Sequence, residues 1–144
     1  MYTQDQIEWL LQTMLDAQSK DLARFMSENQ AGSRAVLQLL YTSREVVTAG
    51  KIAETIGVSN ARVAVLLKKM VAKGLVVKET DPNDARVTTV RLSEHGVETA
   101  EAMRKELHDQ MSTLIEKIGM DRMQEFVMVT KEIQEVLKPP TILI

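Results

Sequence analysis

The segment that most narrows the possible folds is a polar six-residue tip, Asp81-Pro82-Asn83-Asp84-Ala85-Arg86, between two β-branched runs. Residues 75–80 and 87–92 are rich in Val and Thr, which suits an antiparallel strand pair. Asp, Asn and Pro favour turns, and the tip is too long for a two-residue hairpin. Two strands alone are only marginally stable in water. This pair must therefore rest on helices, with Val46-Val47 as a candidate third strand.

The residues just upstream supply two such helices. Residues 49–56, capped by Thr48, place Ile52, Ala53 and Ile56 on one face. Gly57 suits a turn at positive φ, Val58 packs that turn, and Ser59 is a good N-cap for a helix over 60–73. There Val63, Leu66, Leu67 and Met70 face inward, and the small Ala53 allows a close crossing. This spacing is that of a helix-turn-helix. After Gly74 the helical period gives way to the strand pattern.

Longer helices flank this region. Residues 4–27 predict one long helix, 28–32 a break, and 33–43 a second apolar-faced helix. Downstream, Ser93 caps a helix to about 118. In it Ala100, Met103, Leu107, Met111, Leu114 and Ile118 step by three or four residues, as in a coiled-coil seam. Gly119 ends it. Asp121 is expected to cap a last helix to about 138, with Met123, Phe126, Val127, Thr130, Ile133 and Leu137 inward. Pro139-Pro140 stops that helix, and the segment Thr141-Ile142-Leu143-Ile144 is apolar.

The chain of 144 residues is long enough for one domain with a sizeable core. With aromatics at only 3%, that core rests on aliphatic residues and nine Met. No cysteine is present, which excludes disulfides and thiolate metal sites. The sequence has no signal-peptide pattern and no apolar run long enough for a bilayer, so a cytoplasmic, nucleoid-associated protein with no membrane partner is expected. Catalytic motifs are missing, so no enzyme and no cofactor are expected. The charge is −2 overall but unevenly spread. Residues 59–92 hold Arg62, Lys68, Lys69, Lys73, Lys78, Arg86 and Arg91 against Glu79, Asp81 and Asp84, a local +4 on an otherwise acidic frame. Such a basic module suits phosphate binding.

Ile52-Ala53-Glu54-Thr55-Ile56-Gly57-Val58-Ser59, Lys73-Gly74-Leu75-Val76, the Asp81–Arg86 tip and Val90-Arg91-Leu92-Ser93-Glu94-His95-Gly96, in this order and spacing, resemble the MarR family of bacterial transcription regulators. The match covers roughly residues 33–105. The resemblance implies a mainly α fold with a small antiparallel β-wing. It would be one domain over 1–144, with a winged helix-turn-helix lobe at 33–95 and dimerisation helices at 1–30 and 96–144. It further implies a homodimer that binds a pseudo-palindromic operator in double-stranded DNA, most often as a repressor released by a small apolar or aromatic effector. Two features depart from the pattern. Ala85 stands where a first wing cation is common, and Ala64 and Val65 stand where relatives often carry polar or basic residues.

A winged helix places one helix in the major groove and a wing arginine in the minor groove. The expected DNA contacts are Ser59, Asn60, Ala61, Arg62, Val65, Lys68, Lys69 and Lys73 on the second helix, and Arg86 on the wing. Asn60 suits adenine, and Arg62 suits guanine or phosphate. Ala61, Ala64 and Val65 can pack on thymine methyl groups, and the lysines suit phosphates. Asp81 and Asp84 are expected to shape the tip, one of them pairing with Arg86. Trp9, Phe25, Met26, Tyr41 and Met103 are candidate effector contacts, although such residues are more often plain core. His95 reads as a surface residue. His108 beside Glu106 and Asp109 lacks ligand spacing, so no metal site is expected. The alternative reading is a winged helix that serves protein interaction and never reads DNA.

Overall fold

The computed structural model describes residues 2–17 and 20–137. The elements in order are α1 (Gln4–Asp16), α2 (Lys20–Ala31), α3 (Ser33–Thr42), β1 (Val47–Thr48), α4 (Ala49–Ile56), α5 (Asn60–Ala72), β2 (Val76–Thr80), β3 (Thr88–Leu92), α6 (Glu94–Ile118) and α7 (Met120–Leu137). Two compact units are present, Met1–Met103 and Arg104–Ile144. The fold is mainly helical, with one three-stranded antiparallel sheet in the order β1-β3-β2. Among the described residues no helix is long and apolar enough to cross a membrane.

Most ends fall where side-chain chemistry puts them. Thr3 and Gln6 form a reciprocal capping box at α1. Thr48 Oγ1 accepts from the Lys51 amide at 3.1 Å, and Ser59 Oγ accepts from the Arg62 amide at 3.2 Å. Gly57 closes α4 at φ 69°, where a side chain would be strained.

Four sequence expectations need correction. The single helix over 4–27 is two helices, with Ala17 as the C-cap of α1. No large apolar residue falls between Leu15 and Leu22, so the apolar face is interrupted where the helix ends. The break at 28–32 shrinks to Gly32, because Glu28 to Ala31 are good enough helix formers to extend α2. Asp121 lies within the first turn of α7, and Gly119 accepts the first helical bond from Met123 instead. The short strand is shifted by one residue, to Val47–Thr48, because Val47 is buried and Val46 is exposed. Pro139-Pro140 and the apolar segment 141–144 lie outside the described residues.

The core belongs to the lobe. Val36, Ile52, Val63, Leu67 and Met70 are fully enclosed, with Val47, Val76, Val90 and Ala100 beside them. α3, α4 and α5 thus pack on the inner face of the sheet. The start of α6 is tied to the turn before β2. Ser93 Oγ donates to the Gly74 carbonyl and accepts from the Gly96 amide at 2.9 Å, and the Ser93 amide donates to Leu75 O at 3.0 Å. By contrast, α1 and α7 each bury no residue within the chain.

Candidate nucleic-acid interface

α5 presents two opposite faces. Val63, Leu67 and Met70 fill the core, so Ala61, Val65, Lys68 and Ala72 form the ridge pointing away from it. Asn60 and Ala64 lie on one flank of that ridge, Arg62 and Lys69 on the other. All of these are exposed. Ser59 is held as the cap, so its hydroxyl already accepts a bond from the Arg62 amide. Lys73 closes the helix at its C-terminus.

The wing tip is held by its two aspartates, which do different work. Asp81 Oδ1 accepts from the amides of Asn83 at 2.7 Å and Asp84 at 3.1 Å, which folds the tip. Asp84 Oδ1 accepts from the Arg86 amide at 3.0 Å and from Arg86 Nε at 3.2 Å. These bonds from the Arg86 backbone, then its side chain, hold the Asp84 carboxyl below its ordinary value of 3.8. The Arg86 side chain remains 91% exposed. Its Nε is committed to Asp84, so the terminal nitrogens project outward from an oriented stem.

Between the helix and the wing lies a groove of about 430 Å³. Asn60, Ala64 and Leu67 line one wall, Lys78, Arg86, Val87 and Thr88 the other, and Thr48, Ala49 and Gly50 the end. The structure therefore brings Asn60 and Arg86 to one concave surface, together with Lys78 and Thr88, which sequence reasoning did not place in the site. The β2–β3 register explains Lys78. Pairs Val76–Leu92, Lys78–Val90 and Thr80–Thr88 share one face of the sheet. That face is core near Val76 and Val90, but Lys78 lies past the edge of the core. A lysine in phase with the inward residues of its strand was the available signal.

The opposite face carries Val77, Glu79, Thr89 and Arg91. There Arg91 and Glu79 form an ion pair at 3.2 Å, so Arg91 adds no charge to the groove. Among the described residues, Arg62, Lys68, Lys69, Lys73 and Lys78 form no ion pair. The positive surface is thus α5, its C-terminal end and the groove wall.

The sequence profile of the MarR family matches residues 33–87, the span from α3 to the end of the wing tip. An HTH-type transcriptional regulator of Bacillus subtilis (strain 168), YdgJ, is 29% identical over 86 residues, which is 60% of this chain and 52% of that protein. This chain therefore spans about half the length of that relative. The structure of a MarR family transcription regulator matches with a TM-score of 0.74 at 17% identity over 92% of both chains. The S. aureus MepR–DNA complex matches at 0.68 and 18% identity, over 96% of this chain and 100% of that one. Over residues 33–87 the chain thus matches the MarR family, and its fold is that of a solved MarR family regulator.

The wing tip carries one cation, Arg86, with Ala85 adding no charge. The candidate effector residues are spread out within the chain. Tyr41 and Met103 pack against the lobe core, and Tyr41 Oη donates to Glu101 at 3.3 Å. Phe25 is half-buried, whereas Trp9 and Met26 are 68% and 40% exposed. His95 and His108 are exposed, and Asp109 pairs with Lys105 at 3.0 Å. Among the described residues no group of three or more acidic, His or Cys side chains is arranged to hold a metal.

Proposed function

We propose that this chain is a MarR-family regulator of transcription that binds double-stranded DNA sequence-specifically and acts as a homodimeric repressor. The carrying observation is the groove in which Asn60 of α5 faces Lys78 and Arg86 of the wing. Two surfaces for two adjacent DNA grooves meet there. α5 presents its exposed ridge to the major groove, and the oriented Arg86 reaches a minor groove. Lys68, Lys69, Lys73 and Lys78 contact phosphates, and Asn60 and Arg62 contact base edges.

Dimerisation is supported by the apolar residues that one chain leaves in water. α1 exposes Ile7, Leu10, Leu11, Met14 and Leu15, and α7 exposes Phe126, Val127, Met128, Val129 and Ile133. Exposed apolar surface on this scale marks an interface. Two lobes related by a twofold axis call for a pseudo-palindromic operator. The repressor responds to an apolar effector, for which Trp9, Phe25, Met26, Tyr41 and Met103 are the proposed contacts. An effector favouring lobe positions that do not fit the operator lowers DNA affinity reciprocally.

The test is an anisotropy titration of the full chain against a labelled duplex from upstream of its own gene, at two salt concentrations. The expected result is steep salt dependence and tighter binding than to a scrambled duplex. Equal, weak binding to both duplexes and to a random-sequence library sinks the proposal. Sedimentation equilibrium is expected to give a dimer at micromolar concentration, and a strict monomer sinks that part.

A further inference from the structure

We infer that this protein reads its operator mainly through thymine 5-methyl groups, packed against an apolar patch formed by Ala61, Ala64 and Val65 on α5. The inference rests on the DNA-reading function proposed above and names what the helix recognises.

The argument begins with helix geometry. Burial of Val63, Leu67 and Met70 fixes the rotation of α5 about its axis. Residues 61 and 65 then lie on the ridge opposite the core, and 64 lies just beside it. These positions occupy the first two turns, the part of a recognition helix that reaches base edges. The side chains of Ala61, Ala64 and Val65 carry no donor or acceptor, and the amides of Ala64 and Val65 are spent on the helix's own bonds. They cannot read the hydrogen-bonding pattern of any base pair. The apolar group that a base presents in the major groove is the thymine methyl.

Exposure and neighbours support the assignment. Val65 is 55% exposed although Arg62, Lys68 and Lys69 surround it. Asn60 and Arg62 flank the patch, and Lys68 follows it on the same ridge. The arrangement is an apolar centre within a polar and basic rim. Phosphate-binding groups thus hold α5 against the duplex while its centre meets base edges without polar atoms. A thymine opposite Val65 gains burial of its methyl. A cytosine there offers an unsatisfied amino group against an apolar surface, which is disfavoured.

The test uses the full-length protein. A random-duplex selection yields a preferred site. Each thymine of one half-site is then replaced in turn by deoxyuracil, which removes only the 5-methyl. At one or two positions the dissociation constant is expected to rise about fourfold, the effect of one methyl leaving an apolar contact. Val65→Ala, an exposed change that keeps a strong helix former, is expected to weaken thymine duplex binding and to shrink the uracil penalty at one of those positions. Selective binding with no uracil penalty anywhere overturns this inference alone. A penalty that persists undiminished in Val65→Ala and in Ala64→Gly overturns it as well. Failure of the protein to prefer any duplex overturns it together with the function it rests on.

Discussion

A Cβ atom added to Gly96 would lie 1.9 Å from the carbonyl oxygen of Leu75 and 2.9 Å from its carbonyl carbon. The first turn of α6 therefore rests directly on the backbone that begins β2. Gly96 is buried, and its amide donates to Ser93 Oγ at 2.9 Å. Two separate stretches of sequence, Gly74-Leu75 and Ser93–Gly96, make one joint between the lobe and the long helix.

This joint sets the sign of a glycine substitution. In an open helical position Gly→Ala gains about 1 kcal/mol. At Gly96 the obstacle is backbone, which cannot swing aside, and overpacking costs roughly 1–3 kcal/mol. Gly96→Ala is thus expected to lower the denaturant midpoint of unfolding, with an unchanged m-value. A midpoint equal to or above wild type would show that the α6 start is not seated on Leu75.

Lys78 and Arg91 both belong to the basic stretch 59–92 but lie on opposite faces of the sheet. Lys78→Ala is expected to weaken binding to all duplexes and to reduce the slope of log K against log salt by about 1. Arg91→Ala, which removes half of an exposed ion pair with Glu79, is expected to leave that slope unchanged. A reversed result in salt-dependent titrations would place the basic surface on the other face of the wing.

Arg86 and Asp84 make a separable pair. Arg86→Ala removes the wing cation and is expected to weaken operator binding about tenfold or more, within the range of one specific arginine contact. Asp84→Ala keeps the cation but releases its stem, so a smaller loss is expected. Asp84→Asn retains an acceptor for the Arg86 amide and should fall between wild type and Asp84→Ala. An Asp84→Ala loss greater than that of Arg86→Ala would mean that Asp84 acts on more than the arginine.

The same pair gives a pH expectation. The Asp84 carboxyl titrates below its ordinary 3.8 because the Arg86 amide and guanidinium bind its charged form. A group with a lowered folded pKa stabilises above its unfolded value and loses that contribution as pH falls through the folded one. The tip geometry is therefore expected to be constant from neutral pH down to about 4 and to loosen below it. The Arg86 amide resonance, followed by NMR, is the readout. A transition centred above pH 4, or one that survives in Asp84→Asn, would count against this assignment.

Local chemistry carried most of the element assignments. Thr48, Gly57, Ser59, Gly74 and Ser93 mark ends because each satisfies a backbone group or a backbone angle within a few residues of itself. The helix-turn-helix and the wing were legible for the same reason. So was the basic bias of residues 59–92, since charge is counted before it is folded. What composition and spacing could not decide was how residues distant in sequence face one another. Strand register put Lys78 in the groove and sent Arg91 to the other face. The packing of α6 on Leu75 made Gly96 indispensable for space rather than for a turn. The interruption near Ala17 broke a helix whose spacing read as continuous. Caps and turns depend on neighbours along the chain, whereas facing, register and close approach depend on the whole lobe having packed.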